Sequence, residues 1–188
     1  MLAKYYRLND DVRISRRWHL GEILSRDGDF PDLLDCVPCG FTELEAEVSQ
    51  AGRALEFCQT SFAVPVAGDA LADTIKLAAG TDVECVPLRV DKKAGFKAIN
   101  VLRKLSCVDE KRSQFVKWTA QDHRPDRIGQ YHEISDLTID LSHVPRDVNI
   151  FRLWGWNVVL VVSERIKDEM GRAGCFGALF ENLKTSNG

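Results

Sequence analysis

The stretch VVLVVSERIKDEMGRAGCFGALF, residues 158–180, predicts a strand, an amphipathic helix and a second strand in succession. Its first five residues are apolar and mostly β-branched, which is typical of a buried strand. Ser163 then has the position of a helix N-cap, and Gly174 has the position of the residue that follows a helix. Between them, apolar residues recur at helical spacing at Ile166, Met170 and Ala173. This pattern predicts a helix that lays one apolar stripe on a sheet.

A similar pattern occurs upstream, in residues 62–90. The apolar run Phe62-Ala63-Val64-Pro65-Val66 precedes a predicted helix, and a further apolar run, Val83–Val90, predicts the strand after it. The apolar helix positions are Leu71, Ile75 and Ala78, followed by Gly80. The two segments indicate either a degenerate internal duplication or two independent copies of a common strand-helix-strand unit. Both alternatives place an amphipathic helix on a sheet.

Further apolar runs predict the rest of the sheet. Residues 96–102 are apolar on both faces, which is typical of a central strand, and residues 134–141 and 148–153 predict more strands. Residues 21–38 are rich in Asp, Gly and Pro and predict a long surface loop. No linker divides the chain. We therefore expect a single α+β domain over residues 1–188, with a mainly antiparallel, twisted sheet and two main helices.

Composition narrows the function classes. The chain has 188 residues and a formal net charge of −3, and this acidic balance argues against direct nucleic-acid binding, which goes with a basic surplus. Residues 1–7 lack the apolar run of a signal peptide, and no later run is long and uncharged enough to span a bilayer. We expect a cytoplasmic protein with no membrane contact.

Six cysteines lie in the sequence without the spacing of a disulfide framework, which fits reduced thiols. Cys36 and Cys39 form a Cys-x-x-Cys pair, but zinc requires four ligands and no second pair accompanies them. We expect no metal and no cofactor. The alternative is a ligand-binding or regulatory module in which this pair is a metal or redox switch.

Glu43, Glu45 and Glu47 alternate with apolar residues, which places three carboxylates on one face of a strand. Turn residues at 49–53 and renewed alternation at 55–57 predict that this strand continues into a hairpin. The glutamates are either a solvated strand face or an acidic ridge that faces a basic partner.

The segment Asp122-His123-Arg124-Pro125-Asp126-Arg127 supports two interpretations. A histidine between carboxylates is able to act as a general base while arginines bind an anion. Proline and two aspartates also make an ordinary turn, in which the carboxylates bond nearby backbone groups. No Gly-x-Ser-x-Gly or phosphate-binding glycine motif occurs in the chain. We favour a structural or partner-binding role for Asp122, Arg124 and Asp126.

Trp154 and Trp156 flank Gly155 at a spacing of two, so we expect both indoles on one side of a strand. An inward side makes them core residues, and an outward side makes them an anchor patch for a partner.

Several short motifs, taken in order along nearly the whole chain, resemble the immunity-protein family of bacterial polymorphic toxin systems. This family was formerly catalogued as a domain of unknown function and is typified by a myxobacterial nuclease-immunity protein. The motifs are Tyr5-Tyr6-x-Leu8, Trp18 before Leu20-Gly21, Phe62-Ala63-Val64-Pro65-Val66, Asn100-Val101-Leu102, Arg112-Ser113-x-Phe115-x-x-Trp118, Pro125-Asp126, Phe151-Arg152-Leu153-x-Gly155-Trp156 and Val162-Ser163-Glu164.

The resemblance implies a small cytoplasmic protein that binds a cognate toxin domain, in some members a nuclease, and blocks it without catalysing a reaction. It supplies no toxin-contact residues. Local chemistry alone makes the partner-binding candidates Glu43, Glu45, Glu47, Asp122, Arg124, Asp126 and Trp156. The enzymatic alternative is a small hydrolase or nucleotide-processing enzyme that uses the loop at residues 122–126. The oligomeric state stays open.

Overall fold

Two strand-helix-strand units organise the fold, at the positions that the apolar patterns predict. A computed structural model of the chain describes residues 3–187. The helices are α1 (Asp69–Ala79) and α2 (Glu164–Arg172). The strands are β1 (Tyr5–Asp10), β2 (His19–Ser25), β3 (Leu44–Gln50), β4 (Phe57–Gln59), β5 (Pro65–Gly68), β6 (Val83–Val90), β7 (Lys93–Val101), β8 (Lys104–Leu105), β9 (Gln114–Lys117), β10 (Tyr131–Asp136), β11 (Thr138–Asp140), β12 (Ile150–Leu153), β13 (Trp156–Ser163), β14 (Ala178–Asn182) and β15 (Lys184–Ser186).

The first unit, β5-α1-β6, belongs to a six-stranded sheet in the order β2-β3-β6-β7-β5-β4. This sheet curls until its two edges meet, where Leu20 of β2 bridges Thr60 and accepts a hydrogen bond from the N–H of Ser61 (3.2 Å). Apolar side chains fill the inside of the curl, among them Leu44, Val66, Val86, Leu88 and Ala98. The predicted central strand at residues 96–102 corresponds to β7, which lies in the middle of this sheet.

The second unit, β13-α2-β14, belongs to a five-stranded sheet in the order β14-β1-β13-β12-β8. Successive side chains of a strand point to opposite faces of the sheet, so the two faces of this sheet contribute to different cores. Leu160 and Val162 contribute to the core that both helices share, while Val159 and Val161 face the opposite core. Both helices bury their apolar stripes in the shared core, together with residues from both sheets.

Ser163 has the N-cap position of α2, but its hydroxyl does not cap the helix backbone. It donates instead to Oδ1 of Asn149, at 2.9 Å. This contact ties the start of α2 to the residue before β12. The hydroxyl of Ser163 therefore bonds a side chain that is distant in sequence instead of the first N–H groups of its own helix.

The hairpin predicted through residues 49–53 is wrong. β3 pairs with β2 and with β6, whereas β4 pairs with β5. The chain after β3 crosses instead to residues 16–18, where the N–H of Trp18 donates to the carbonyl of Arg53 (3.0 Å). Leu55 is then buried inside the curled sheet, and this burial outweighs local pairing. The surface loop predicted at residues 21–38 is shorter than expected, because β2 extends to Ser25.

The predicted α+β fold, with two helices in a single domain and a mainly antiparallel sheet, is confirmed. Within residues 3–187, eight of the eleven strand pairs are antiparallel. The strands divide into two larger sheets and two two-stranded ones. Neither described helix has the length and apolar content that crossing a membrane requires.

Candidate functional site

A groove of about 440 Å³ is lined by residues of the β9–β10 hairpin, the β12–β13 hairpin and the loop between β2 and β3. We name it the tryptophan groove, because Trp118 and Trp156 line it from different hairpins. Trp118 stacks edge-on against His132, with 4.2 Å between ring centroids. The guanidinium of Arg7 lies 5.4 Å from the indole centroid of Trp156. The rest of the lining is Asp32, Leu34, Asp35, Asp126, Arg127, Gln130, Tyr131, Gly155, Asn157 and Val158.

The prediction that Trp154 and Trp156 share one side of a strand is wrong. β12 ends at Leu153 and β13 begins at Trp156, so Trp154 and Gly155 form the turn between two antiparallel strands. Gly155 has a φ of +76°, which residues with a side chain rarely adopt. Period two holds only along continuous extended backbone, and this glycine interrupts it. Trp154 is 50% exposed at the turn, whereas Trp156 is half-buried in the groove.

Two carboxylates of the tryptophan groove already have cationic partners. Asp35 accepts hydrogen bonds from Lys104 (2.9 Å) and from Nδ2 of Asn157 (2.8 Å). Asp126 forms a forked pair with Nε and Nη2 of Arg124, at 3.1 and 2.9 Å. The Lys104 hydrogen bond lowers the pKa of Asp35, and the Arg124 hydrogen bonds lower the pKa of Asp126. Both carboxyls are therefore ionised at neutral pH.

A second, smaller pocket of about 200 Å³ adjoins the tryptophan groove, since Asp32 and Leu34 line both. We name it the phenylalanine pocket, after Phe30 and Phe62. These two rings are 71% and 56% exposed, although large apolar side chains are mostly buried in folded proteins. Glu22 and Asp32 both belong to the lining, which contains no Lys or Arg side chain among the described residues, and Glu22 also lines the groove on β2 and β3.

The buried guanidinium of Arg152 binds backbone carbonyls next to both cavities. Arg152 is fully buried, and its Nη1 donates to the carbonyl of Asn157 (2.7 Å), in the wall of the tryptophan groove. Its Nη2 donates to the carbonyl of Ala63 (3.1 Å), next to Phe62. Within residues 3–187 no carboxylate pairs with this guanidinium. Burial lowers the pKa of Arg152 to about 10, so it still carries its charge at neutral pH.

The loop at residues 119–128 is exposed throughout. Thr119 donates its backbone N–H (2.7 Å) and its hydroxyl (2.8 Å) to Asp122, and the backbone hydrogen bond lowers the pKa of that carboxyl. His123 has no side-chain hydrogen bond to any residue in the described range 3–187. The loop carboxylates therefore make the contacts of an ordinary turn. The enzymatic alternative, which relies on His123, stays a prediction.

His143 has a carboxylate within hydrogen-bonding distance, with its Nδ1 lying 3.0 Å from Oδ2 of Asp140. The hydroxyl of Ser142 donates to Asp140 (2.7 Å) and lies 3.3 Å from the same Nδ1. In a Ser-His-Asp triad the serine and the aspartate occupy opposite ring nitrogens. Here both lie at Nδ1, so the cluster has the geometry of a cap on the short 3₁₀ turn that begins at Leu141.

The structure separates the predicted site residues into two groups. Asp126 and Trp156 line the tryptophan groove, and Arg124 is attached to it through Asp126, whereas Asp122 lies in the same loop without lining the groove. Glu45 and Glu47 line a different groove, of about 430 Å³, on strands β2 and β3. Glu43 precedes β3, and its carboxylate pairs with Nε of Arg89 at 3.0 Å. The acidic ridge is thus partly neutralised within the chain.

Both cysteines of the Cys-x-x-Cys pair are half-buried thiols. Sγ of Cys36 donates to the carbonyl of Arg103 (3.4 Å), and the N–H of Cys39 donates to Glu84 (2.7 Å). In the part of the chain that the structure describes, no group of three or more His, Cys, Asp or Glu side chains has an arrangement that could hold a metal ion. The metal-switch alternative therefore has no further ligands at this position.

The six thiols are expected to differ strongly in reactivity. Burial raises the pKa of Cys58 and of Cys107 to about 12, and only the thiolate reacts with alkylating agents. We expect iodoacetamide at pH 8 to label the half-buried Cys36 and Cys39 before the buried Cys58 and Cys107 in the native protein, with rates that differ by more than about tenfold. Mass spectrometry of timed samples measures this, with the urea-unfolded chain as the control in which all six react. Rapid native labelling of Cys58 or Cys107 would contradict the fold described above.

Sequence reasoning missed Phe30, Asp32 and the buried role of Arg152. The signal for Phe30 is its context, because it is a large apolar residue between Asp29 and Pro31 in an otherwise polar loop. The apolar run at residues 62–66 predicts a strand that includes Phe62, but Phe62 lies in the turn before β5. Nothing in the local sequence pattern shows that Phe30, Asp32 and Phe62 line one pocket.

Comparisons with known proteins add no relative. A scan against protein-family models matched no family, and a search of curated proteins found no match. The resemblance to the immunity-protein family therefore stays a prediction.

Proposed function

We propose that this protein is an immunity protein, which binds a cognate bacterial toxin domain in a one-to-one complex and thereby blocks it. The family resemblance described under Sequence analysis motivates the toxin as the partner. In this proposal the protein acts in the cytoplasm by binding alone, without a cofactor and without catalysing a reaction.

The observation that carries a binding function is the pair of adjoining cavities with exposed apolar side chains. Phe30, Phe62 and Val158 line them and are each at least 47% exposed. Large apolar anchors surrounded by a polar rim are characteristic of protein-protein interfaces. Asp32 and Asp126 belong to such a rim here.

The cavities are also held in place before a partner arrives. Arg152 binds the backbone carbonyls of Ala63 and Asn157 from within the core, beside the two cavities. A surface that is already ordered loses less conformational entropy on binding. This preorganisation supports a tight, stoichiometric complex.

The first experiment is to co-express this chain with the toxin domain encoded beside its gene, purify the complex, and score the survival of cells that express the toxin. We expect a stable one-to-one complex and full protection. Absence of both would contradict the proposal. Turnover by the purified chain that disappears in His123→Ala would instead favour the enzymatic alternative.

A charge placed in the tryptophan groove is expected to weaken the complex. Val158 is 47% exposed and lines the groove, so Val158→Asp leaves the core intact but puts a desolvated carboxylate into the interface. We expect the dissociation constant to rise at least about tenfold by isothermal titration calorimetry. Leu77→Asp is the matched control, since Leu77 is 84% exposed on α1, outside both cavities. An unchanged affinity in Val158→Asp, or an equal loss in both variants, would remove the groove from the interface.

A further inference from the structure

The phenylalanine pocket contains negative charge that the chain itself does not neutralise. In the described residues 3–187, Glu22 and Asp32 have no ion-pair partner, and the one hydrogen bond to their carboxylates comes from the exposed backbone N–H of Asp35 (3.1 Å). In the tryptophan groove two of the three carboxylates, Asp35 and Asp126, are paired with cations, and the third is Asp32 itself, which lines both cavities. Among the described residues, this small pocket is therefore lined by two carboxylates without an ion-pair partner and by no cationic side chain.

The same pocket presents aromatic surface. Phe30 and Phe62 line it and are more than half exposed, and the remaining lining is mostly apolar, including the buried side chains of Ile23, Leu33 and Val64. A cation is attracted to the face of an aromatic ring, and the attraction strengthens when the site excludes water. Carboxylates beside aromatic rings therefore match a ligand that is both flat and cationic.

The backbone under Phe62 is fixed at an energetic cost. Ala63 has a φ of +56°, in the left-handed region that residues with a side chain rarely occupy. The hydroxyl of Thr60 accepts hydrogen bonds from the N–H groups of Phe62 and Val64, both at 3.3 Å, and the buried Arg152 holds the carbonyl of Ala63. The turn thus orders the backbone that carries the exposed Phe62 side chain, although neither the strain nor the exposure stabilises the free protein.

The volume of the pocket sets the size of its ligand. Small-molecule and cofactor sites usually measure roughly 300–1,000 Å³, whereas this pocket has about 200 Å³. It suits one long side chain rather than a nucleotide. Because it adjoins the tryptophan groove through Asp32 and Leu34, that side chain would belong to a partner that also covers the groove.

We infer that the phenylalanine pocket binds an arginine side chain of the partner protein, with the guanidinium against Phe30 and Phe62 and its N–H groups on Glu22 and Asp32. Arginine fits better than lysine, since its planar guanidinium stacks on rings and forks onto carboxylates. This inference deepens the proposed function and rests on it for the identity of the partner. The recognition chemistry itself is testable without the toxin.

The first test uses a small probe, N-acetyl-arginine amide, titrated into the full chain while NMR follows the ring protons of Phe30 and Phe62. We expect saturable shifts, about threefold weaker binding of N-acetyl-lysine amide, and no shifts with the uncharged citrulline analogue. Glu22→Gln/Asp32→Asn should weaken arginine binding at least about tenfold. Absence of saturable shifts, or equal binding to the double variant, would overturn the inference.

The second test uses the toxin complex and a control with the same change of charge. Glu22→Gln/Asp32→Asn and Glu45→Gln/Glu47→Gln each remove two negative charges, but only the first pair lies in the phenylalanine pocket. We expect at least about tenfold loss of affinity in the first variant and less than about twofold in the second. Equal losses would indicate general electrostatic attraction and overturn the specific pocket. A normal complex with both variants would overturn the inference while leaving the proposed function standing, whereas absence of any wild-type complex would contradict the function alone.

Discussion

We expect the replacement of Arg152 by alanine to lower the free energy of unfolding by about 3–5 kcal/mol, which urea denaturation would measure. Arg152 is one of the largest fully buried side chains in the described part of the chain, so its removal leaves a cavity. Its two hydrogen bonds, to the carbonyls of Asn157 and Ala63, disappear at the same time. The Nε of Arg152 has no hydrogen-bond partner in residues 3–187, so burial of the guanidinium also costs free energy. The expected loss of stability already allows for this cost.

Two further variants separate the contributions. Arg152→Met keeps most of the volume and loses the hydrogen bonds, so we expect it to cost about 1–3 kcal/mol. Arg152→Lys keeps a charge but cannot reach both carbonyls with a single ammonium, and should lie between the methionine and alanine variants. A stability of Arg152→Ala within about 1 kcal/mol of the wild type would show that this guanidinium does not hold the two cavities together.

Gly177→Ala is expected to lower the free energy of unfolding by about 2–4 kcal/mol. Gly177 precedes β14 and has a φ of +114°, where residues with a side chain are strained. A Cβ at this position would also overlap the carbonyl oxygen of Phe57 and lie 3.0 Å from Cβ of Leu55. The segment has no room to shift, since the carbonyl of Gly177 accepts the N–H of Asp11 at 2.7 Å.

Thermal unfolding measures this effect, because 1 kcal/mol corresponds to roughly 2–4 °C in a domain of this size. Gly171→Ala is the matched control. Gly171 lies in α2 with open space where the new Cβ would be, so the alanine should raise stability by about 0.5–1 kcal/mol through helix propensity. If both variants melt at the wild-type temperature, the close approach between the segment before β14 and the β4 region is wrong.

Local pattern was enough to predict much of the fold. The two strand-helix-strand units follow from apolar residues that recur at i, i+4 and i+7 after runs of β-branched residues, and this signal lies within a dozen neighbouring positions. α1 and α2 accordingly lie where the pattern predicts them, and so do β6, β7 and β13. The class of fold follows from these elements, because each apolar stripe requires a sheet to cover it.

Pairing between distant strands was beyond local pattern. The segment after β3 has the residues of a turn, yet it crosses to residues 16–18 because Leu55 is buried within the curled sheet. Trp154 and Trp156 likewise have strand spacing, but the left-handed φ of Gly155 makes them part of a turn. In the first case a local preference of a few tenths of a kcal/mol competes with burial of Leu55, which is worth about 1.5–3 kcal/mol.

In the candidate site too, some residues could be predicted from local sequence and others depend on the packing of distant segments. Sequence chemistry selected Asp126 and Trp156, which do line one groove, because charge and tryptophan in a loop are unusual enough to notice. Phe30 and Phe62 line one cavity and Val158 lines the adjoining one, an arrangement that exists only in the folded chain. Their exposure depends on what the rest of the chain leaves uncovered. Periodicity reports which face of an element is apolar, whereas only the packed structure decides which apolar residues remain without a partner.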